Sequence, residues 1–175
     1  MADDFYIDEI QDYLELKCEL NKLVKHNVVL SAGEAPQRAF ARFESDEHIT
    51  MINNNGAKNI VVVADYHGQR IGDVDEKKLR MTVEVIFAVK KEPATEDETN
   101  AINDALKLAE KIMFQFWNQM EKDYQEGCNA LEYLEPGNVN WNKIDDQPWL
   151  NDFYGWILNV PFGSYMPGHD EGDWE

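Results

Sequence analysis

Leu79-Arg80-Met81-Thr82-Val83-Glu84-Val85-Ile86-Phe87-Ala88-Val89-Lys90 is the stretch that decides the fold. Leu79, Met81, Val83, Val85, Phe87 and Val89 fall on one side of an extended chain. Arg80, Thr82, Glu84, Ile86, Ala88 and Lys90 fall on the other. Successive side chains of a strand point to opposite faces, so this pattern predicts a half-buried strand of an antiparallel sheet. Pro93 follows, and Thr95-Glu96-Asp97-Glu98 has the form of a capping box. The box predicts a helix running to about Glu126 and stopping at Gly127. Ile102, Leu106, Ala109, Met113, Phe116, Trp117, Met120 and Tyr124 form its apolar stripe. One long helix laid across an antiparallel sheet buries both apolar faces in two layers.

Working outward toward the N-terminus, Asp4–His26 reads as a shorter helix. Tyr6, Ile10, Tyr13, Leu14, Leu20, Leu23 and Val24 recur at helical spacing. Acids come early in it, and Lys22, Lys25 and His26 come late, as the helix dipole favours. Asn27 and Ser31–Pro36 end it. Phe40 and Phe43 could anchor a short strand or turn within Arg38–Asp46. Ile49–Ile52 and Ile60–Ala64 flank Asn53-Asn54-Asn55-Gly56, a hairpin signal because Asn and Gly tolerate positive φ. Asp65–Lys78, with two Gly and several charges, reads as a loop.

Toward the C-terminus, Leu131–Ile144 and Phe153–Phe162 read as a strand pair joined by Asp145–Asp152. Tyr154, Trp156, Leu158, Val160 and Phe162 share one face of the second strand, opposite Phe153, Gly155, Ile157, Asn159 and Pro161. Pro161 cannot donate to a ladder, so the strand should end there or lie at an edge. The expected fold is α+β, an antiparallel or mixed sheet packed on one long and one shorter helix. It fills a single domain over residues 1–163, followed by an acidic extended tail over 164–175.

The charge is one-sided: 16 Lys+Arg against 34 Asp+Glu gives −18. Residues 1–16 hold six acids and no Lys or Arg, and Glu126–Glu175 holds ten acids and only Lys143. Such a field repels nucleic acid, whose binding needs cations against phosphates. An apolar fraction of 43% with five Trp still argues for a packed core. No run of eighteen apolar residues is present to span a membrane, and Met-Ala-Asp-Asp has no signal-peptide character. Cys18 and Cys128 read as thiols of a reducing compartment rather than a disulfide. A soluble cytoplasmic product is the expectation.

Chemistry is poorly supported. His26, His48, His67 and His169 show no metal-ligand spacing, and no Cys-x-x-Cys occurs. Asp65 and His67 share a face of an extended chain, and a solvated strand end explains them better than a metal or acid–base pair. Phosphate loops and the Gly-x-Ser-x-Gly elbow are missing. Cys18 sits in an acidic helix, which raises a thiol's pKa. No catalytic residue, metal or cofactor is expected. The aromatics say more. Phe114, Phe116 and Trp117 read as core. Trp141, Trp149, Tyr154 and Trp156 cluster near the closing strands, and Trp174 stands alone in the tail. Aromatics are enriched in interface cores, so these five are the candidate subunit contacts.

The order helix, hairpin-rich sheet, long helix and strand hairpin, closing on Asn151-Asp152-Phe153-Tyr154-Gly155-Trp156, resembles the tail-terminator or tail-completion proteins of tailed bacteriophages. The resemblance covers most of the chain and departs in the tail 164–175 and in Asp65–Lys78. It implies a non-enzymatic α/β subunit of the virion, assembled in the host cytoplasm into a homo-oligomeric ring at the neck or tail end. Portal, neck or tail proteins would be its partners, and DNA would pass through an acidic lumen without being bound. The rival reading is an acidic DNA mimic that inhibits a basic DNA-handling protein.

Overall fold

The computed structural model describes residues 4–42, 56–71, 78–93, 97–144 and 152–165. The elements in chain order are α1 (Asp4–Leu20), β1 (Phe40–Ala41), β2 (Asn59–Ile71), β3 (Lys78–Lys90), α2 (Glu98–Gln125), β4 (Asn140–Lys143) and β5 (Phe153–Tyr165). The strands form one mixed sheet in the order β1-β2-β3-β5-β4, with β1 parallel to β2 and every other pairing antiparallel. Both helices pack against it, so the α+β architecture read from the sequence is the one observed.

β3 is the axis of the sheet. Val83, Val85, Phe87 and Val89 lie opposite Val160, Leu158, Trp156 and Tyr154 of β5. α2 covers that face, with the Phe87 and Phe116 rings edge to face at 5.1 Å. The Trp156 indole N–H donates to the Leu106 carbonyl at 3.1 Å. Ala105, Ala109, Ile112, Met113, Phe116 and Met120 are the residues α2 buries. Each large one contributes about 1.5–3 kcal/mol by leaving water. The other face of β3 is half-buried only at its start. Ile86 and Ala88 are as buried as their neighbours, so the second half of the strand is covered on both faces.

Several boundaries differ from those expected, each for a local reason. α1 stops at Leu20 rather than His26, because the Asn21 side chain accepts from the amides of Leu23 and Val24 and turns the chain out of the helix. α2 begins at Glu98. Its N-cap is Asp97, whose carboxylate accepts from the amides of Thr99 and Asn100, and Thr95 lies outside the described residues. Its C-terminus ends as expected at Gly127, with φ +82°, where the amides of Gly127 and Cys128 donate back to Tyr124 and Asp123.

Asp65–Ile71 continues β2 instead of forming a loop, past a bulge between Val63 and Asp65. The expected strand Leu131–Ile144 is reduced to Asn140–Lys143. Pro136-Gly137 and the segment Asn129–Leu131 form short 3-10 turns before it. Pro161 is tolerated inside β5, an internal strand. Its carbonyl accepts from the Glu135 amide, so its nitrogen faces that segment and no bond to β3 is lost. The Ile49–Ile52 strand and most of the Asn53–Gly56 hairpin fall outside the described residues, as does the tail beyond Tyr165.

Candidate functional site

Of the five candidate contact residues, the three that are described are placed differently. Trp141 sits on β4, an outer strand of the sheet, and is 43% exposed, with its ring edge-on to Phe114 of α2 at 5.3 Å. Tyr154 is buried in the chain's own core. Trp156 is half-buried beneath α2, its N–H already committed to Leu106. Tyr154 and Trp156 therefore serve the sheet–helix interface, because the face they share with Leu158, Val160 and Phe162 is the one α2 covers. Trp149 and Trp174 lie outside the described residues.

The titratable groups are arranged for structure. His26 is buried, and its Nδ1 accepts from the amides of Ala39 and Phe40 at 3.0 and 3.1 Å. That fixes the proton on Nε2, which faces Glu15 Oε1 at 3.3 Å. Burial lowers the His26 pKa and outweighs the opposing pull of Glu15. The two backbone donors commit Nδ1 to holding the chain between α1 and β1. Burial, with Glu15 and Glu19 nearby, raises the Cys18 thiol well above its ordinary value, so it is no nucleophile. Asp65 is exposed, and His67 comes no nearer to Glu84 than 4.0 Å. Among the described residues no group of three or more His, Cys, Asp or Glu could hold a metal ion, and no helix is long and apolar enough to cross a membrane.

One surface does stand out, and it lies between the helices. A groove of about 840 Å³ runs between the C-terminal end of α1 and the middle of α2. Lys17, Lys22, Lys111 and Lys122 line it with Leu20, Leu23 and Phe116, and no carboxylate does. In a chain with 34 acids and 16 bases, a wall holding four lysines runs against the composition, with Asp123 and Glu126 standing just behind two of them. Lys17 is held by Asp123 at 2.6 Å, and Lys122 lies 3.8 Å from Glu126. Lys22 and Lys111 make no ion pair among the described residues. The lining adds exposed apolar surface, since Leu20 is 68% exposed. A smaller cavity of about 480 Å³ at the start of α2 differs in kind, because Lys58 and Lys90 there stand among Glu92, Asp97 and Asp104.

No protein-family model, curated protein or solved structure matches this chain. The groove was not anticipated from sequence. Its signal was nonetheless present: Lys111 and Lys122 stand eleven residues apart, about three helical turns, which puts them on one face of α2.

Proposed function

We propose that this protein is a structural subunit of a tailed-bacteriophage virion that closes with its own copies into a ring at the neck or tail end. The observation that supports this reading is the lysine groove on a chain of net charge −18. Each copy carries a cationic, partly apolar concavity and a large excess of acid elsewhere. Attraction between copies is then heterologous, groove of one to acidic surface of the next. Heterologous contacts close into a ring when the rotation per copy permits. The groove also offers Leu20 and Leu23 as apolar anchors beside the charges, the composition of a protein contact rather than of a phosphate site.

In such a ring the remaining acids line the lumen and rims, so DNA passes without adhering. Other neck, portal or tail proteins take the two outer faces of the ring. The test is negative-stain microscopy of the purified protein over a concentration series, with light scattering alongside. Closed rings of one size are expected. A strict monomer at every concentration and at low salt would overturn the reading. Co-purification of that monomer with a basic DNA-handling protein would put the DNA-mimic inhibitor in its place.

A further inference from the structure

We infer that the groove between α1 and α2 receives the acidic segment 166–175 of a second copy of this chain, which deepens the assembly reading above and rests on it. The segment reads Met-Pro-Gly-His-Asp-Glu-Gly-Asp-Trp-Glu and lies outside the described residues. It carries Asp170, Glu171, Asp173 and Glu175 with no Lys or Arg, against the groove's Lys17, Lys22, Lys111 and Lys122. Lys22 and Lys111 are exposed and make no ion pair among the described residues, so their charges are available to an incoming carboxylate.

The dimensions agree. The eleven steps of α2 from Lys111 to Lys122 span about 16 Å at the helical rise. The five steps from Asp170 to Glu175 span about 16 Å as extended chain. Trp174 supplies the apolar element, a large ring among carboxylates, and the groove supplies its counterpart in Leu20 and Leu23. Nucleic acid is the poorer occupant, because Leu20 and Leu23 give the groove an apolar component that a phosphate backbone does not use. Since groove and segment are different surfaces, every copy offers one of each, as a closed head-to-tail ring requires.

Two variants of the full chain test this. One neutralises the segment (Asp170→Asn, Glu171→Gln, Asp173→Asn, Glu175→Gln, with Trp174→Ala). The other reverses the groove (Lys22→Glu, Lys111→Glu), at two exposed side chains whose loss leaves the fold intact, as an unchanged unfolding midpoint would verify. Each variant alone should be monomeric at tenfold the concentration that assembles the unaltered chain. An equimolar mixture should give dimers and nothing larger, because only one intact contact can form between them. Rings that persist in either variant would overturn the inference and leave the assembly reading standing. A mixture that stays monomeric, as it would if the segment folded back on its own copy, would also overturn it. Absence of rings in the unaltered chain would instead remove the assembly reading itself.

Discussion

The Tyr13 hydroxyl donates to Asp123 Oδ2 at 2.7 Å, across a sequence separation of 110 residues. The same carboxylate accepts from Lys17 at 2.6 Å and from Gln119 at 2.7 Å, so one side chain of α2 gathers two groups of α1 and one of its own helix. Burial alone would raise the Asp123 pKa, but Lys17, Tyr13 and Gln119 outweigh it and hold the carboxyl below its ordinary value. Asp123→Asn should cost about 2–3 kcal/mol, because Lys17 loses its counter-charge in a largely buried setting. Tyr13→Phe should cost about 1 kcal/mol. Urea unfolding checks both, and a double-mutant cycle should find the pair coupled. A depressed carboxylate stabilises the fold above its unfolded pKa and stops doing so as pH falls through its folded one. This contribution should therefore vanish only below about pH 4.

Gly155 is the position in β5 where a side chain cannot be added. A Cβ there would lie 2.0 Å from the Phe87 carbonyl oxygen and 2.8 Å from the Ala88 Cα, both backbone atoms of β3. Relief requires the two strands to separate where the sheet is buried on both faces. Gly155→Ala should destabilise by about 3 kcal/mol or more, at the upper end for overpacking. Gly163 makes the control. A Cβ there meets only the end of the Glu135 side chain, which can swing away at the expense of its 2.7 Å pair with Arg80. Gly163→Ala should lose about 1 kcal/mol or less, in the range of a half-exposed ion pair. Equal losses at the two sites would refute the strand-separation argument.

What was legible in the sequence follows the same physics. β3 was read to within one residue because its alternation runs unbroken from Leu79 to Lys90. The C-terminus of α2 was fixed by Gly127, whose positive φ few other residues would accept. The end of α1 was missed because Leu23 and Val24 keep the helical spacing after the helix has stopped. Val24 is buried all the same, by a turn that Asn21 closes with its side chain. Asp65–Ile71 was read as a loop because its residues are polar, yet pairing to β3 satisfies their backbone groups regardless of side chain. Of the aromatic cluster, alternation sends Tyr154 and Trp156 inward under α2, which residue type alone did not show. The lysine groove needed two elements far apart in sequence to be placed side by side.

Trp156 offers a direct optical probe of that helix–sheet interface. Its indole N–H reaches the Leu106 carbonyl, so Trp156→Phe keeps most of the apolar contact and removes one hydrogen bond. The expected loss is about 1 kcal/mol, the net worth of such a bond. Trp156→Ala, which also empties the space beneath α2, should cost about 3–5 kcal/mol if the site does not collapse. Chemical denaturation of the two variants separates the bond from the packing. Indistinguishable losses would mean that α2 does not rest on this ring.

His26 should make the fold sensitive to mild acid. Its Nδ1 is the acceptor for two backbone amides at the join between α1 and β1, and a proton placed on that nitrogen displaces both. The groups facing it are Glu15 and Glu19 of α1, which favour the cation, and Arg38, which opposes it; burial decides, and the folded pKa is lowered. An unfolded histidine titrates near about pH 6.5. The unfolded chain therefore takes up the proton first, and stability is full above that pH. It declines as pH falls toward the lower folded value. Unfolding free energies measured at about pH 7.5 and 5.5 should differ in that direction. His26→Leu should start about 2–3 kcal/mol lower, because the amides of Ala39 and Phe40 are left buried without an acceptor. The variant should also lose most of the pH dependence in this window. If it kept the slope of the unaltered chain, the acid sensitivity would belong to another group and the assignment to His26 would fall.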